Sequence, residues 1–484
     1  MELDRRSFLR RCGILVAATA SGNIGLDVFT PLGRSALAAA LPGAGPLPTG
    51  TPILVLIDLQ GGNDAVNMLI NPSDPWYYDI ARGHGNISIK QSTILPLAGT
   101  AYGLHPSLTW LASRWANNGD LAFVQGSGEN VKQEFSHFAA SYYRNVADFS
   151  GSEGRGWLGR YNDIVGPGSP FASVSLNGVH PALIGAQTPV LTIADVASFS
   201  FGVDYRWRTG FLGAWQAMGA GGGSAGGSML AAATQNIADS FATQAAVVKT
   251  NNPTYNSTFA PGLGRQLAQA AMLIQAGFPS QTYVAATSGY DTHGSEAWNH
   301  ADLLKKLDDA LKAFFAIINA GPRANDVFVL VTSEFGRQQT ANASAGCDHG
   351  QAGVNIVLGG GVSGRMYGQA PLTDPAHRLN DALVPTVDFR SVYATALNRL
   401  ARDAGTGATV LGQPFADLGI FSGPQVPAGG GTPPPASTTT TTVPGGSTTT
   451  TTRPAETTTT TTTKPPASTT TTMPGGTTTT TMRK

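Results

Sequence analysis

Pro52-Ile-Leu-Val-Leu-Ile57 is a nearly continuous apolar run, which is typical of a strand buried on both faces of a parallel sheet. It ends on Asp58 and continues into Gln60-Gly-Gly-Asn-Asp64, where two glycines let the backbone approach a ligand closely. A buried carboxylate is costly unless it is paired or binds a cation. We therefore expect Asp58 to ligate a metal ion, with capping of the next helix as the alternative. Asn63 and Asp64 are candidates for a further ligand or a hydrogen-bond donor.

Three further strand-like runs adjoin polar groups that could bind a metal ion. Thr282–Thr287 leads into Gly289-Tyr-Asp-Thr-His293, and Val327–Thr332 leads into Ser333-Glu-Phe-Gly-Arg337. In the third case the order is reversed, because Cys347-Asp-His-Gly350 precedes the run 354–358. Ligand sites in α/β folds lie beyond the carboxyl ends of the strands. The pattern therefore predicts a metallohydrolase site at one sheet edge.

Strand-like runs alternate with helical patterns, which indicates an α/β fold with a mostly parallel central sheet flanked by helices. A further strand is predicted at 121–125, and helices at 134–146 (beginning near Ser136), 295–320 and 388–402. The pattern is less clear between residues 160 and 280. Gly219–Ser228 is expected to be a flexible loop before a helical segment at 229–248, and the whole region is interpreted as an insertion or cap over one side of the site.

The spacing of Asp291 and His293 suits two ligands of one ion, because residues two apart in an extended segment project to the same face. An oxygen and a nitrogen donor at this spacing fit a zinc-like ion. His300 lies early in the next helix, where a surface histidine is the simpler interpretation and a supporting or substrate-binding role is the alternative.

Two further motifs supply candidate ligands. Glu334 could bind metal or pair with Arg337. Of Asp348 and His349, we expect His349 to reach the ion while Asp348 orients locally, because adjacent residues of an extended chain point to opposite faces. Cys347 is a further candidate, although a lone buried thiol is more often inert packing.

Ser136, in Glu134-Phe-Ser-His-Phe138, is the candidate nucleophile. A helix start offers free backbone amides to a developing anion or a phosphate or sulfate group, and a nearby metal ion would activate the hydroxyl. The alternative is an ordinary helix N-cap. His137 is a further candidate ligand or acid, and His105 is structural or site-lining.

Both chain ends are predicted to lie outside the folded domain. Residues 1–40 carry paired arginines, a weakly apolar stretch and small-residue cleavage sites, which indicate a twin-arginine signal and hence the translocase as a partner. Residues 41–50 form a linker, 51–424 the α/β domain, and 425–484 a disordered Thr/Pro-rich stalk or passive repeat, open to O-glycosylation. Cleavage removes Cys12 and leaves Cys347, so no intramolecular disulfide can form. The expected location is extracellular, cell wall or periplasm.

Charge and hydropathy exclude two classes of partner. Basic and acidic residues both number 30, which gives no sign of a nucleic-acid partner. No internal apolar run reaches the roughly 18 residues of a membrane span, so no transmembrane anchor is expected in the mature chain.

Taken in order, the motifs resemble the bacterial family called "domain of unknown function 1501", which is placed among alkaline-phosphatase-like folds. The resemblance covers most of residues 50–424. It rests on Ile57-Asp-Leu-Gln-Gly-Gly-Asn-Asp64, Gly103-Leu-His-Pro106, Ser136-His-Phe138, Gly156-Trp-Leu-Gly-Arg160, Gly289-Tyr-Asp-Thr-His293, Ser333-Glu-Phe-Gly-Arg337, Asp348-His-Gly350 and Thr386-Val-Asp-Phe-Arg390.

That superfamily, which includes phosphatases and sulfatases, implies two divalent metals and a hydroxyl nucleophile. Carried over, Asp58 matches the acid after the first strand, Ser136 the nucleophile, and Asp291, His293 and His349 one metal site. The second site usually takes an Asp-His pair, whereas this chain has Glu334-Phe335. One or two zinc-, manganese- or calcium-like ions are therefore expected.

Two hypotheses follow from these patterns. The first is an exported metal-dependent hydrolase of phosphate or sulfate esters, acting on a small molecule or a cell-envelope polymer. The second is a non-catalytic surface binding or structural protein with the same fold, which Phe335 and the threonine stalk favour.

Overall fold

The computed structural model describes residues 47–129, 134–167, 169, 171–200, 208–220 and 243–422. The predicted signal (1–40), most of the linker and the predicted stalk (425–484) lie outside these residues, so the domain boundaries remain predictions. Among the described residues, none of the helices is both long and apolar enough to cross a bilayer.

Fourteen strands are assigned within the described ranges. Their bounds are β1 Ile53–Gln60, β2 Leu69–Ile70, β3 Leu95–Pro96, β4 Gly103–Leu104, β5 Leu121–Gly128, β6 Ser173–Ser175, β7 Leu191–Thr192, β8 Thr282–Ser288, β9 Val327–Thr332, β10 Arg337–Ala341, β11 Cys347–His349, β12 Gly353–Gly359, β13 Met366–Tyr367 and β14 Val387–Asp388.

The α-helices, with short 3-10 turns between some of them, connect these strands. Their bounds are α1 Ala65–Met68, α2 Pro75–Tyr78, α3 Thr109–Asn117, α4 His137–Val146, α5 Trp157–Val165, α6 Arg208–Ala220, α7 Pro253–Thr258, α8 Leu263–Gln275, α9 Glu296–Ala320, α10 Phe389–Ala401 and α11 Thr406–Leu411. Residues 243–249 are also helical.

The central sheet is mixed but mostly parallel. Its strand order is β13-β5-β12-β9-β1-β8-β6-β7, with β14 also paired to β5. β1 lies between β8 and β9 and is parallel to both. β12 is antiparallel to both of its neighbours, β9 and β5, and the remaining pairs of this sheet are parallel. The predicted fold class is therefore confirmed.

Helices cover both faces of the sheet, which explains the apolar run in β1. Ile53, Val55 and Ile57 belong to one buried cluster together with residues of α8 and α9. Leu54 and Leu56 belong to a second cluster together with residues of α5 and α10. Since successive side chains of a strand point to opposite faces, a strand between two helical layers must be apolar at every position.

The predicted elements agree closely with the structure, with one exception. The five predicted strands match β1, β5, β8, β9 and β12, and three of the predicted helices match α4, α9 and α10. The helical segment predicted at 229–248 lies mostly outside the described residues, and its described part, 243–248, is helical. The interpretation of residues 160–280 as an insertion or cap is wrong for the described part. There β6 and β7 extend the central sheet beyond β8, and α8 packs in its core. The predicted loop at Gly219–Ser228 lies almost wholly outside the described residues.

Truncation of Leu54 tests the two-layer core. This side chain is fully buried, so Leu54→Ala is expected to lower the free energy of unfolding by about 2–5 kcal/mol. Leu372→Ala, at a position 56% exposed, is the matched control and should change it by less than about 0.5 kcal/mol. Denaturant titration measures both, and equal effects would contradict the assignment of Leu54 to the core.

Candidate metal centre

The strand directions explain why the candidate residues meet. Asp58 lies near the carboxyl end of β1, while Asp291 and Glu334 follow the neighbouring parallel strands β8 and β9. Because β12 runs antiparallel to β9, its first residues lie at this same edge. The segment before β12, which contains β11, therefore joins the site. This strand direction explains why the motif Cys347–Gly350 precedes its strand, whereas the other motifs follow theirs.

Four side chains form what we call the outer cluster: His137, Asp291, His293 and His349. The Nε2 atoms of the three histidines lie 3.3, 3.0 and 3.2 Å from Oδ1 of Asp291, in that order. The Nε2 atoms of His293 and His349 are 2.8 Å apart. Three imidazoles therefore point the same ring atom at one carboxylate oxygen.

The other ring nitrogen of each imidazole, Nδ1, faces a hydrogen-bond acceptor. Nδ1 of His137 lies 2.8 Å from Oε1 of Glu334. Nδ1 of His293 lies 2.9 Å from Oδ1 of Asp348, and Nδ1 of His349 lies 2.6 Å from the carbonyl oxygen of Phe135. Since these groups accept, each Nδ1 carries a proton, and in a neutral ring Nε2 then presents a lone pair. Such outer partners are characteristic of metal-bound histidines.

The three distances from the imidazole Nε2 atoms to Oδ1 of Asp291 are close to those expected between ligands of one divalent ion, whereas the 2.8 Å between His293 and His349 is shorter. His137, Asp291 and His349 have mutually close ligand atoms, and His293 approaches this group from beside Asp291 and His349. Four ligands at about 2.0–2.1 Å in a tetrahedron lie about 3.3 Å from one another. Nε2 of His137 is buried and has no hydrogen-bond partner, which is the state expected of a ligand atom. Three imidazole nitrogens and one carboxylate oxygen fit zinc or another transition ion better than calcium, which prefers oxygen alone.

Arg337 fixes the charge and the position of Asp291. Burial works to raise the pKa of Asp291, but the hydrogen bond from the Arg337 guanidinium, at 2.6 Å, lowers it to about 2. Asp291 is therefore ionised at neutral pH. Burial lowers the pKa of His349, which favours the neutral imidazole that a metal ion requires.

Asp58 lies outside the outer cluster and is hydrogen-bonded to a histidine. Its Oδ2 lies 3.1 Å from Nε2 of His180, whose Nδ1 accepts from the backbone N–H of Ala182. Nε2 of His180 therefore carries the proton, and this pair needs no ion. Asp58 does not cap the following helix either, because Asp64 accepts from the N–H of Val66 at the start of α1.

Glu334 supports the outer cluster rather than belonging to it. Its Oε1 faces His137 and also accepts from the N–H of Gly61 at 2.8 Å. The alternative ion pair between Glu334 and Arg337 is wrong, because Arg337 pairs with Asp291. Phe335 packs beside His137 and His349, with ring centroids 4.9 and 4.8 Å away.

Ser136 occupies the N-cap position of α4, directly before His137. Its side chain makes no capping hydrogen bond, and the residue is exposed. Its backbone N–H donates to Oε1 of Glu134 at 2.9 Å. The capping alternative therefore lacks its defining hydrogen bond, and the exposed residue directly precedes His137 of the outer cluster.

Behind the outer cluster, four buried side chains form what we call the inner cluster: Asp64, His84, Glu296 and Cys347. Burial beside Asp64 raises the pKa of Glu296 to about 10. Burial works to raise the pKa of Asp64, but His84 holds it below its usual range. In the protein alone, Asp64 is therefore the ionised acid and Glu296 is protonated.

The remaining candidates lie near the inner cluster and are buried. Oδ1 of Asn63 lies 2.9 Å from Nε2 of His300, and the rings of His105 and His300 are 6.0 Å apart. The simpler interpretation of His300 as a surface residue is wrong, since it is 1% exposed. Burial lowers the pKa of both histidines to about 4, so both are neutral.

Sequence reasoning missed His84, His180 and Glu296, and it gave His137 only a secondary role. His84 and His180 follow no recognisable strand, and Glu296 sits in the first turn of α9, where an acid is commonplace. The anchoring of His137 by Glu334 depends on a contact between residues 197 positions apart. The spatial neighbours of these residues are set by tertiary contacts, which the sequence pattern does not reveal.

Comparison with known proteins supports the family expected from the motifs. A family model described as "Protein of unknown function (DUF1501)" matches residues 216–417. This match supports the DUF1501 family. No curated protein matches the chain.

Two matching solved structures are of Ps i-CgsB. The one described as a complex with k-i-k-neocarrahexaose has 10% identity over 78% of this chain and 75% of that chain, with a TM-score of 0.28. The other has 9% identity over 77% and 75%, with a TM-score of 0.27. Likeness at this level carries no argument about function.

Removing a candidate ligand of the outer cluster should weaken metal binding there. We expect His293→Ala to weaken zinc binding by about 100-fold or more, and Asp348→Asn, which alters a hydrogen-bond partner of His293 and of Asn342, by about 10- to 100-fold. His377→Ala, at an exposed histidine outside the cluster, is the matched control. Competition titration with a chromophoric chelator measures the affinities, and equal affinities for all variants would contradict the ligand set.

Acid should weaken zinc binding at the outer cluster. The imidazole of His349 must be neutral to ligate, and burial lowers its pKa, so zinc affinity is expected to hold near neutral pH and to fall once the pH drops below the ordinary histidine range. The same titration between pH 7.5 and pH 5 measures this, and a flat profile would exclude histidine ligation.

Proposed function

We propose that this protein is a metal-dependent hydrolase of phosphate or sulfate esters, with its reaction centre at the outer cluster. The convergence of three Nδ1-anchored imidazoles on Oδ1 of Asp291 carries the proposal. The ligands lie beyond a mostly parallel sheet, and this architecture supports the alkaline-phosphatase-like resemblance of the motifs.

The protein side chains supply position, charge and orientation. The outer cluster would hold a divalent ion, which when bound polarises an ester oxygen and lowers the pKa of a coordinated hydroxyl. Glu334 and Asp348 orient His137 and His293, so the ligand atoms are placed before metal or substrate arrives. Arg337 keeps Asp291 ionised and immobile.

Ser136 is the proposed nucleophile, because its exposed hydroxyl is free of a capping bond and adjoins the ligand His137. The hydroxyl oxygen would bond to phosphorus or sulfur while the bond to the substrate alcohol breaks. The serine proton passes through solvent to the departing alkoxide, and water then hydrolyses the serine ester. The start of α4, with its free backbone amides, favours the anionic group being transferred.

We further propose that the enzyme works outside the cytoplasm on envelope material or a small ester. Residues 1–40 support export by the twin-arginine translocase, and the threonine-rich residues 425–484 support a spacer role. Export of the folded chain would allow the metal to be inserted beforehand.

Two observations favour a second candidate function, a binding protein without turnover. Asp58 and His180 satisfy each other without an ion, and Phe335 occupies the place of a second-site imidazole. A protein with one metal ion could bind an anionic envelope group without hydrolysing it.

Turnover of aryl phosphates and aryl sulfates by the zinc-loaded protein separates the two functions. The hydrolase predicts that Ser136→Ala and Asp291→Ala each lower kcat/KM by about 10³-fold or more. Ser344→Ala and Asp309→Ala, at exposed positions, are the matched controls and should retain full activity. Zinc binding without turnover would favour the binding protein, while full activity in Ser136→Ala would remove the nucleophile assignment.

A further inference from the structure

The inner cluster has a composition and a geometry unlike ordinary packing. The side chains of Asp64, His84, Glu296 and Cys347 each offer one donor atom, and all four atoms lie within 4.8 Å of one another. The residues are 0% exposed. Acid, imidazole and thiol groups gathered in a dry interior are costly to bury unless something satisfies them.

The orientation of His84 repeats the arrangement seen in the outer cluster. Its Nδ1 lies 2.9 Å from the carbonyl oxygen of Gln339, which can only accept. Its Nε2 faces Oδ2 of Asp64 at 3.0 Å and Sγ of Cys347 at 3.9 Å. In the protein alone a protonated His84 pairs with Asp64, and a cation that replaces this proton would be ligated by the same Nε2 and Oδ2 atoms.

Glu296 provides an independent observation. Its Oε1 accepts a long hydrogen bond of 3.4 Å from Nδ2 of Asn67. Its Oε2 has no hydrogen-bond partner among the described residues, although the residue is completely buried. Since Glu296 is protonated in the protein alone, a cation bound here would replace that proton and pair with this oxygen.

We propose that the inner cluster is a closed zinc site, with Asp64, His84, Glu296 and Cys347 as its four ligands. The mixed oxygen, nitrogen and sulfur donors suit zinc, whereas magnesium and calcium take oxygen ligands. Four protein ligands and complete burial leave no position for water or substrate, so the site is structural.

The surroundings balance the charge of such a site. Two carboxylates and a thiolate bring three negative charges against two on zinc. Arg337 is completely buried beside the cluster and donates from Nη1 to the carbonyl oxygen of Cys347 at 2.8 Å. Its positive charge is shared between Asp291 and the inner cluster, so it offsets part of the remaining negative charge.

The inner zinc would support the outer cluster. Its ligands tie together the start of α1, the segment around His84, the start of α9 and β11. Cys347 and His349 are the two ends of β11, one in each cluster. Loss of the inner ion is therefore expected to loosen His349 and weaken the outer site, whereas loss of the outer ion leaves the inner one in place.

Cobalt substitution tests the proposal, because only the inner cluster contains sulfur. The full-length chain with Cys12→Ser, which removes the other cysteine, is purified with Co²⁺ in place of zinc. We expect two cobalt ions per chain and a near-ultraviolet sulfur-to-cobalt charge-transfer band. His293→Ala should retain the band and hold one ion, while Cys347→Ser should lose the band.

Asp64→Asn tests the inner site without altering the thiol. This variant is expected to lose most of the intensity of the charge-transfer band. Circular dichroism should show that it remains folded. Ser344→Ala, in the exposed loop before β11, is the matched control. One outcome would overturn the inner site alone. In it, the folded parent protein binds a single cobalt ion, shows no sulfur-to-cobalt band, and loses that ion in His293→Ala. A sulfur band without ester hydrolysis would instead overturn the proposed activity and leave the inner site standing.

Discussion

The structure of this sheet edge depends on one buried side chain, the guanidinium of Arg337. It donates to the carbonyl oxygens of Gly62 and Cys347 at 2.8 Å and of Tyr290 at 3.0 Å, and it pairs with Asp291 at 2.6 Å. These partners belong to three separate segments, so a single cation joins the loop after β1, the loop after β8 and β11. Since a buried cation is costly unless fully paired, the segments are held in the one arrangement that pairs it. That arrangement aligns Oδ1 of Asp291 with the three imidazoles.

The antiparallel β12 is the second constraint on the site. A wholly parallel sheet would place the start of that strand at the opposite edge, with its preceding motif far from the others. Because β12 is reversed, the motif before it, Cys347–Gly350, lies at the same sheet edge as the motifs that follow β1, β8 and β9. His349 thereby reaches Asp291, and Cys347 reaches the buried side chains behind it. Side chains that could ligate a metal ion thus converge from distant parts of the chain.

The sequence predicted most of the fold and part of the site. Buried parallel strands are continuous apolar runs, so β1, β8 and β9 were recognisable, and the short spacing of Asp291 and His293 indicated shared ligation. The partners of Asp58 and Glu334 were not predictable, because His180 and His137 reach them only through tertiary contacts. Residues 160–280 were misinterpreted as a cap because β6 and β7 are only three and two residues long, too short to leave an apolar pattern.

Three anchored imidazoles and one carboxylate are proposed to surround a divalent ion. Anomalous diffraction at the zinc edge, from crystals of the zinc-loaded protein, locates such an ion. We expect a strong peak within bonding distance, about 2.0–2.2 Å, of Nε2 of the three outer histidines and of Oδ1 of Asp291. A fully loaded crystal with no peak there, or with its peak between Asp58 and His180, would contradict it.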